Sequence, residues 1–183
     1  MRPALEQTSL PAWTTAVTCP GADVSGRSWT VVAFGPDDPV AAIVERWTAE
    51  IATHRAGAQP RVHRVGDDGT ARAAVAADLA GALVGWRLMM AGPADACLRL
   101  RAFALDHGVG DDEITVASTA VSTRDIRCVH CAAVTRADIA LEEVLPCRGC
   151  GRNLLVYYHV SRRLGAHLGF QVDAERDAAL SVP

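Results

Sequence analysis

Two rhythms of apolar residues alternate through residues 28–118. Short β-rich runs recur at Trp29–Phe34, Trp86–Ala91 and Glu113–Ser118, with a weaker one at Arg61–Val65 after Pro60. Continuous runs of this length, closed by Gly35-Pro36 and Gly92-Pro93, read as buried strands. Between them the spacing lengthens to the helical period. Val40, Ile43, Val44, Trp47 and Ile51 form one stripe, with Asp38 placed to cap the helix, Pro39 at its first position and Gly57 as its stop. A second helix is expected over Ala71–Val84, with Thr70 as cap, Val75, Leu79 and Leu83 on its apolar face, and Gly85 at its end. A third is expected from Ala94 to His107, stopped by Gly108. The order β-α-β-α-β-α-β predicts an α/β fold, a small three-layer domain on a mainly parallel sheet with right-handed crossovers.

After residue 118 the rhythm ends and cysteines take over. Cys128-Val129-His130-Cys131 and Cys147-Arg148-Gly149-Cys150 are two C-x2-C pairs separated by fifteen residues. Two residues between cysteines let one tight turn aim both sulfurs at one ion, and two such turns complete a tetrahedron with metal–sulfur distances near ~2.3 Å. Cys128, Cys131, Cys147 and Cys150 are therefore the expected metal ligands. Zn²⁺ is the default ion, and a rubredoxin-type iron uses the same geometry. With every position filled by protein the metal is structural, holding together a ribbon too small to build an adequate core alone.

The expected organisation is an irregular N-terminal arm over 1–26, in which Trp13 either anchors the arm or touches solvent. The α/β domain follows over 27–120, the four-cysteine ribbon over 121–156, and a docking tail over 157–183, whose end from Asp173 frays. Composition narrows the function classes. A net charge of −3 creates no field that recruits nucleic acid. All 18 basic residues are arginine, which suggests a GC-rich genome and no mechanism. No apolar run is long enough to span a membrane, and the N-terminus lacks a signal-peptide pattern, so the expected location is cytoplasmic.

Charge then changes locally. From Arg124 to Arg163 seven arginines face four carboxylates. Arginine beside aromatic residues is favoured at protein interfaces, so Tyr157, Tyr158, His159, Arg162 and Arg163 are the expected partner-docking residues. Other chemistry is thin. Cys97 reads as a small core thiol, Cys19 as an arm residue, His130 as a bystander to the metal, and Asp111-Asp112-Glu113 as a solvated turn. No catalytic residue is expected.

Two stretches carry a resemblance. Leu88-Met89-Met90-Ala91-Gly92-Pro93, the following helix, Gly108-Val109 and Glu113-Ile114-Thr115-Val116 resemble the last β-α-β unit of the nicotinamide domain in ferredoxin–NADP reductase-like flavoproteins, with Ala91 where those have cysteine. The cysteine pairs, Leu154-Leu155-Val156, His159, Ser161-Arg162-Arg163 and Gly165-Ala166-His167-Leu168-Gly169 look like the C-terminal region of the small subunit of bacterial dimethylamine monooxygenase. That resemblance implies a reductase-like N-terminal domain joined to a zinc-ribbon C-terminal domain, within a multi-subunit oxygenase. It further implies a haem subunit that oxidatively demethylates dimethylamine to methylamine and formaldehyde. A flavin and iron–sulfur reductase subunit would feed that haem from NADPH.

This chain is not expected to bind the dinucleotide itself. A pyrophosphate needs bare backbone at the first strand–helix turn. The turn here, Phe34-Gly35-Pro36-Asp37-Asp38-Pro39, has one glycine, two prolines and two carboxylates. The expectation is a non-catalytic assembly subunit. A nucleic-acid-binding ribbon and a rubredoxin-like electron carrier are the alternatives.

Overall fold

The computed structural model describes residues 8–172. The chain divides into two compact units. The first spans Pro11–Val121, with Arg163–Gly165 grouped to it; the second takes in Ser122–Arg162 and the chain from Ala166.

The first unit is a four-stranded parallel sheet of β1 (Ser28–Phe34), β2 (Arg61–Val65), β3 (Trp86–Pro93) and β4 (Ile114–Ala120), in the order β2-β1-β3-β4. Helices α1 (Asp38–His54), α2 (Asp68–Leu79) and α3 (Ala94–Asp106) connect them. Successive strand side chains point to opposite faces, and the core obeys that period. Val31, Ala33, Met89 and Ala91 pack on one face against the whole predicted stripe of α1. Val32, Phe34, Leu88 and Met90 pack on the other against Val75 of α2 and Cys97, Leu100 and Ala104 of α3. The sheet is thus sandwiched between helical layers, and its central strands β1 and β3 are continuous apolar runs because both faces are covered, whereas the edge strand β2 is largely exposed.

Helix starts differ from the sequence-based placement. Asp37, not Asp38, is the N-cap of α1, which puts Pro39 one position further in. In α2 the cap is Asp67, whose Oδ1 accepts the Thr70 backbone N–H at 2.9 Å. That bond starts the helix three residues before Ala71, and it ends at Leu79 rather than Val84. Leu83 and Val84 consequently stand 82% and 92% exposed in a turn. The arm is irregular but lashed down over its described part. Trp47 Nε1 donates to the Pro20 carbonyl at 2.9 Å, Trp29 Nε1 donates to the Asp23 carbonyl at 2.7 Å, and Trp13 packs on the core. Thr18 bridges to Ser118 at the end of β4.

The second unit is a five-stranded mixed sheet of β5 (Thr123–Cys128), β6 (Val134–Asp138), β7 (Val144–Pro146), β8 (Asn153–Ser161) and β9 (Ala166–Gln171), in the order β6-β5-β9-β8-β7. Only β5 and β9 run parallel; the remaining pairs are antiparallel. The boundary expected after Val156 falls inside β8. Residues 157–171 supply half of β8 and all of β9, so this stretch is part of the sheet rather than an appended tail. The frayed end expected from Asp173 lies outside the described residues.

Candidate metal centre

The two cysteine pairs sit in two turns with the same hydrogen bonds. In the first, Cys128 N–H donates to Ala133 O at 2.9 Å and Ala132 N–H donates to Cys128 O at 3.0 Å. In the second, Cys147 N–H donates to Arg152 O at 2.8 Å and Gly151 N–H donates to Cys147 O at 2.9 Å. Both turns need a left-handed residue after the second cysteine, filled by Ala132 (φ 64°) and Gly151 (φ 71°). Strands β5 and β8 hold the turns, with Ile126, Leu145, Leu154 and Val156 packed beneath them.

This brings all four sulfurs within 4.8 Å of one another. Cys128 Sγ lies 3.8 Å from Cys150 Sγ, and Cys131 Sγ 3.5 Å from Cys147 Sγ. A tetrahedral ion with bonds of ~2.3 Å separates its ligands by about 3.8 Å, whereas a disulfide needs ~2.05 Å. The donor set therefore fits a four-coordinate thiophilic ion held by Cys128, Cys131, Cys147 and Cys150, and not two disulfides. Amide N–H groups of Cys150 and Gly149 aimed at the Cys147 sulfur bring its thiol down to about 6. At Cys131 the Ala133 amide acts to lower the thiol, but burial and the neighbouring thiols outweigh it and push it up to about 11. The Cys150 thiol is lowered as well, first by the Arg152 amide, and the thiolate is the form of cysteine that binds a metal. Cys128 and Cys147 are buried while Cys131 reaches the surface.

His130 is exposed and is not among the four groups that converge on the ion position. Its Nδ1 accepts from Arg152 Nη1 at 2.9 Å, and Arg152 Nε donates to Gln171 Oε1 at 2.9 Å. One guanidinium so ties the first cysteine turn to β9.

The five docking residues are separated by the pleat of β8. Tyr157 (43% exposed) and His159 face out, while Tyr158 is 9% exposed and belongs to the inner side with Val156 and Val160. Tyr158 is therefore not presented to a partner as expected. Arg162 and Arg163 lie exposed in the turn between β8 and β9.

At the carboxyl end of β1, Gly35 (φ 84°) is followed by Pro36 and by the acidic start of α1. Across from it a Cβ on Gly92 would come 2.5 Å from Phe34 Cβ, so that glycine serves packing between β1 and β3. The adjacent groove, about 480 Å³, is walled by Val17, Pro39, Ala42 and Ile43. Its Arg46 is turned onto the carbonyls of Cys19 and Pro20. The acidic turn at 111–113 is bridged rather than merely solvated, since Asp111 meets Arg101 at 2.5 Å and Glu113 meets Arg87 at 3.6 Å. Cys97 is fully buried, and burial pushes its thiol up, which suits a core residue.

Two polar clusters were not legible beforehand. Asp78 is a buried acceptor for Thr30 Oγ1 (2.7 Å), His63 Nε2 (2.8 Å) and Arg61 Nη1 (2.9 Å). On the second sheet, Arg124 Nε and His167 Nδ1 are buried side-chain atoms with no hydrogen-bond partner among the described residues.

No solved structure matches the chain. It is 41% identical over 95 residues to the heme-dependent oxidative N-demethylase delta subunit of Ectopseudomonas mendocina (strain ymp), covering 52% of this chain and 53% of that protein. The chain thus spans about half the length of the curated relative it matches. Residues 125–170, which contain all four cysteines and nearly all of β5 to β9, match the model of the dimethylamine monooxygenase subunit DmmA-like C-terminal domain.

Proposed function

We propose that this chain is a non-catalytic assembly subunit of a haem-dependent, NADPH-driven amine monooxygenase that N-demethylates dimethylamine to methylamine and formaldehyde. The match of residues 125–170 to the DmmA-like C-terminal domain carries the reading. In it, Cys128, Cys131, Cys147 and Cys150 hold one Zn²⁺ as a structural clamp. Four protein thiolates leave no coordination position for substrate or water, so the chemistry resides on partners. One partner is a haem oxygenase subunit; the other is a flavin and iron–sulfur reductase subunit. Both assemble with this chain in the cytoplasm. The α/β unit is a reductase-type scaffold without its nucleotide. Its parallel order with a switch between β1 and β3 supports that ancestry, and the acidic, proline-bearing first turn supports the loss.

The test is co-expression with the polypeptides encoded beside it, followed by native mass and metal analysis. Co-purification with a haem protein and a flavin and iron–sulfur protein, with one zinc per chain, is the expected outcome. A chain that purifies alone overturns the reading. One observation favours a second reading: Cys131 brings one of the four sulfurs to the surface, as a rubredoxin-like electron carrier requires. Red protein containing iron that bleaches on reduction would establish that alternative; colourless zinc protein excludes it.

A further inference from the structure

A cavity of about 150 Å³ lies at the amino end of the parallel sheet, where β1 and β3 begin and α2 ends. Trp29, Thr30, Arg61, Asp78, Gly81 and Trp86 are among its walls. Its chemistry favours positive charge. Asp78 brings a carboxylate, and that residue is only 8% exposed. It stands in the last turn of α2, which contains no basic residue, and a helix C-terminus carries partial negative charge of its own. Both indole N–H groups are committed elsewhere: Trp86 Nε1 donates to Thr30 Oγ1 at 3.0 Å, and Trp29 Nε1 to the Asp23 carbonyl. What the two rings leave for an occupant is aromatic carbon, whose π system attracts a cation.

The carboxylate is not closed off. Its Oδ2 accepts from two neighbours, the Thr30 hydroxyl and His63 Nε2. Its Oδ1 accepts only from Arg61 Nη1 among the described residues, at 2.9 Å. The Arg61 side chain is 72% exposed, so this is an ion pair of the weak, solvent-screened kind. It shows the donor that Oδ1 takes, the N–H of a cation, and holds that place only loosely.

We infer that this cavity binds a small organic ammonium ion, which donates an N–H to Asp78 Oδ1 in place of Arg61 and sets its carbon against Trp29 and Trp86. At ~30 Å³ for a water-sized group, the space suits about five non-hydrogen atoms. A divalent metal ion would need a full shell of oxygen ligands, and Asp78 is the one carboxylate on the walls. An anion would face that carboxylate. The site lies in the first unit, outside the residues matched by the family model, and stands or falls apart from the assembly reading.

The test titrates the full metal-loaded chain with methylammonium chloride at pH 7, against sodium chloride at equal ionic strength, following the indole N–H signals by NMR. The Trp86 and Trp29 signals should shift saturably, with a dissociation constant on the order of 10 mM for so small a ligand, while those of Trp13 and Trp47 stay in place. Arg61→Gln removes the competing guanidinium and should tighten binding about threefold, a gain that a purely structural contact would not give. Asp78→Asn should weaken binding at least about tenfold; if that variant does not fold, the Arg61→Gln result decides. No saturable response to methylammonium, or equal shifts of all four indoles, overturns the site. An equal response to sodium overturns the organic class. Binding by Arg61→Gln that is unchanged or weaker overturns the shared contact at Oδ1 and the proposal with it.

Discussion

Ala132 and Gly151 occupy equivalent places in the two cysteine turns: each follows the second cysteine, each has positive φ (64° and 71°), and each donates its N–H to the first cysteine's carbonyl. The glycine adopts this conformation at no steric cost, whereas a residue with a Cβ is strained by about 1 kcal/mol or more. Ala132→Gly should therefore stabilise the metal-loaded protein by about 1 kcal/mol, and Gly151→Ala should destabilise it by a similar amount. Urea unfolding of the two variants measures both. A less stable Ala132→Gly protein would show that the first turn does not carry the strain its φ implies.

The metal should act on one unit. The second sheet has a small core, and its four thiolates converge on one ion position. Chelation, or Cys147→Ser, is expected to remove one metal per chain and expose the amides of β5 to β9 to exchange. The amides of β1 to β4 should stay protected by their own two-sided core. Hydrogen exchange read by mass spectrometry distinguishes this from global unfolding, which would show the units to be inseparable.

Asp78 should be a stability hub of the α/β unit. Asp78→Ala leaves the Thr30 hydroxyl and the His63 N–H without their acceptor, at a cost of about 2 kcal/mol. Arg61 adds little, because it is largely exposed. Burial acts to raise the Asp78 carboxyl, but hydrogen bonds from His63, Thr30 and Arg61 outweigh it and hold the group below the ordinary 3.8. A depressed carboxylate stabilises above its unfolded value and loses that contribution as pH falls through the folded one. Acid titration should then show a stability loss below about pH 4 that is absent in Asp78→Ala. Parallel acid curves would rule this out.

His167 predicts a second pH dependence, at higher pH. Burial first, and the nearby Arg124 second, lower its imidazole from 6.5 to about 4. Between those values the unfolded chain binds a proton that the folded chain refuses, so stability falls as pH drops from about 6.5 to about 4. The full effect is about 3 kcal/mol. His167→Gln should flatten that window relative to wild type in denaturant melts at pH 7, 5.5 and 4.5. An unchanged slope would assign the acid sensitivity elsewhere.

Adding NADPH should produce no heat of binding in calorimetry with the isolated chain. Asp37 and Asp38 stand where the first helix would otherwise meet a pyrophosphate. Micromolar affinity would show that the first turn rearranges.

Wherever the governing signal is short-range, it was legible. The five-residue stripe of α1 needs only the helical period, and the cysteine turns need only two intervening residues. Helix starts slipped because paired acids, Asp37-Asp38 and Asp67-Asp68, offer adjacent caps, and only the bond to Thr70 chooses between them in α2. The docking residues blurred for another reason. Tyr157, Tyr158 and His159 are equivalent along a line of sequence, and become inside or outside only when β8 is pleated into a sheet.

The amino-acid sequence by itself determined the α/β alternation, the strands that bury both faces, and which four cysteines converge on one candidate ion position. Each follows from periodicity or covalent spacing within a few residues. Tertiary structure alone decided that 157–171 complete the second sheet, because β9 pairs in parallel with β5 some forty residues earlier. It alone buried Asp78, Arg124 and His167 and left Val144 and Phe170 exposed on either side of Leu155. Those outcomes depend on which distant strand supplies the neighbouring backbone, and no local pattern of side chains encodes that choice.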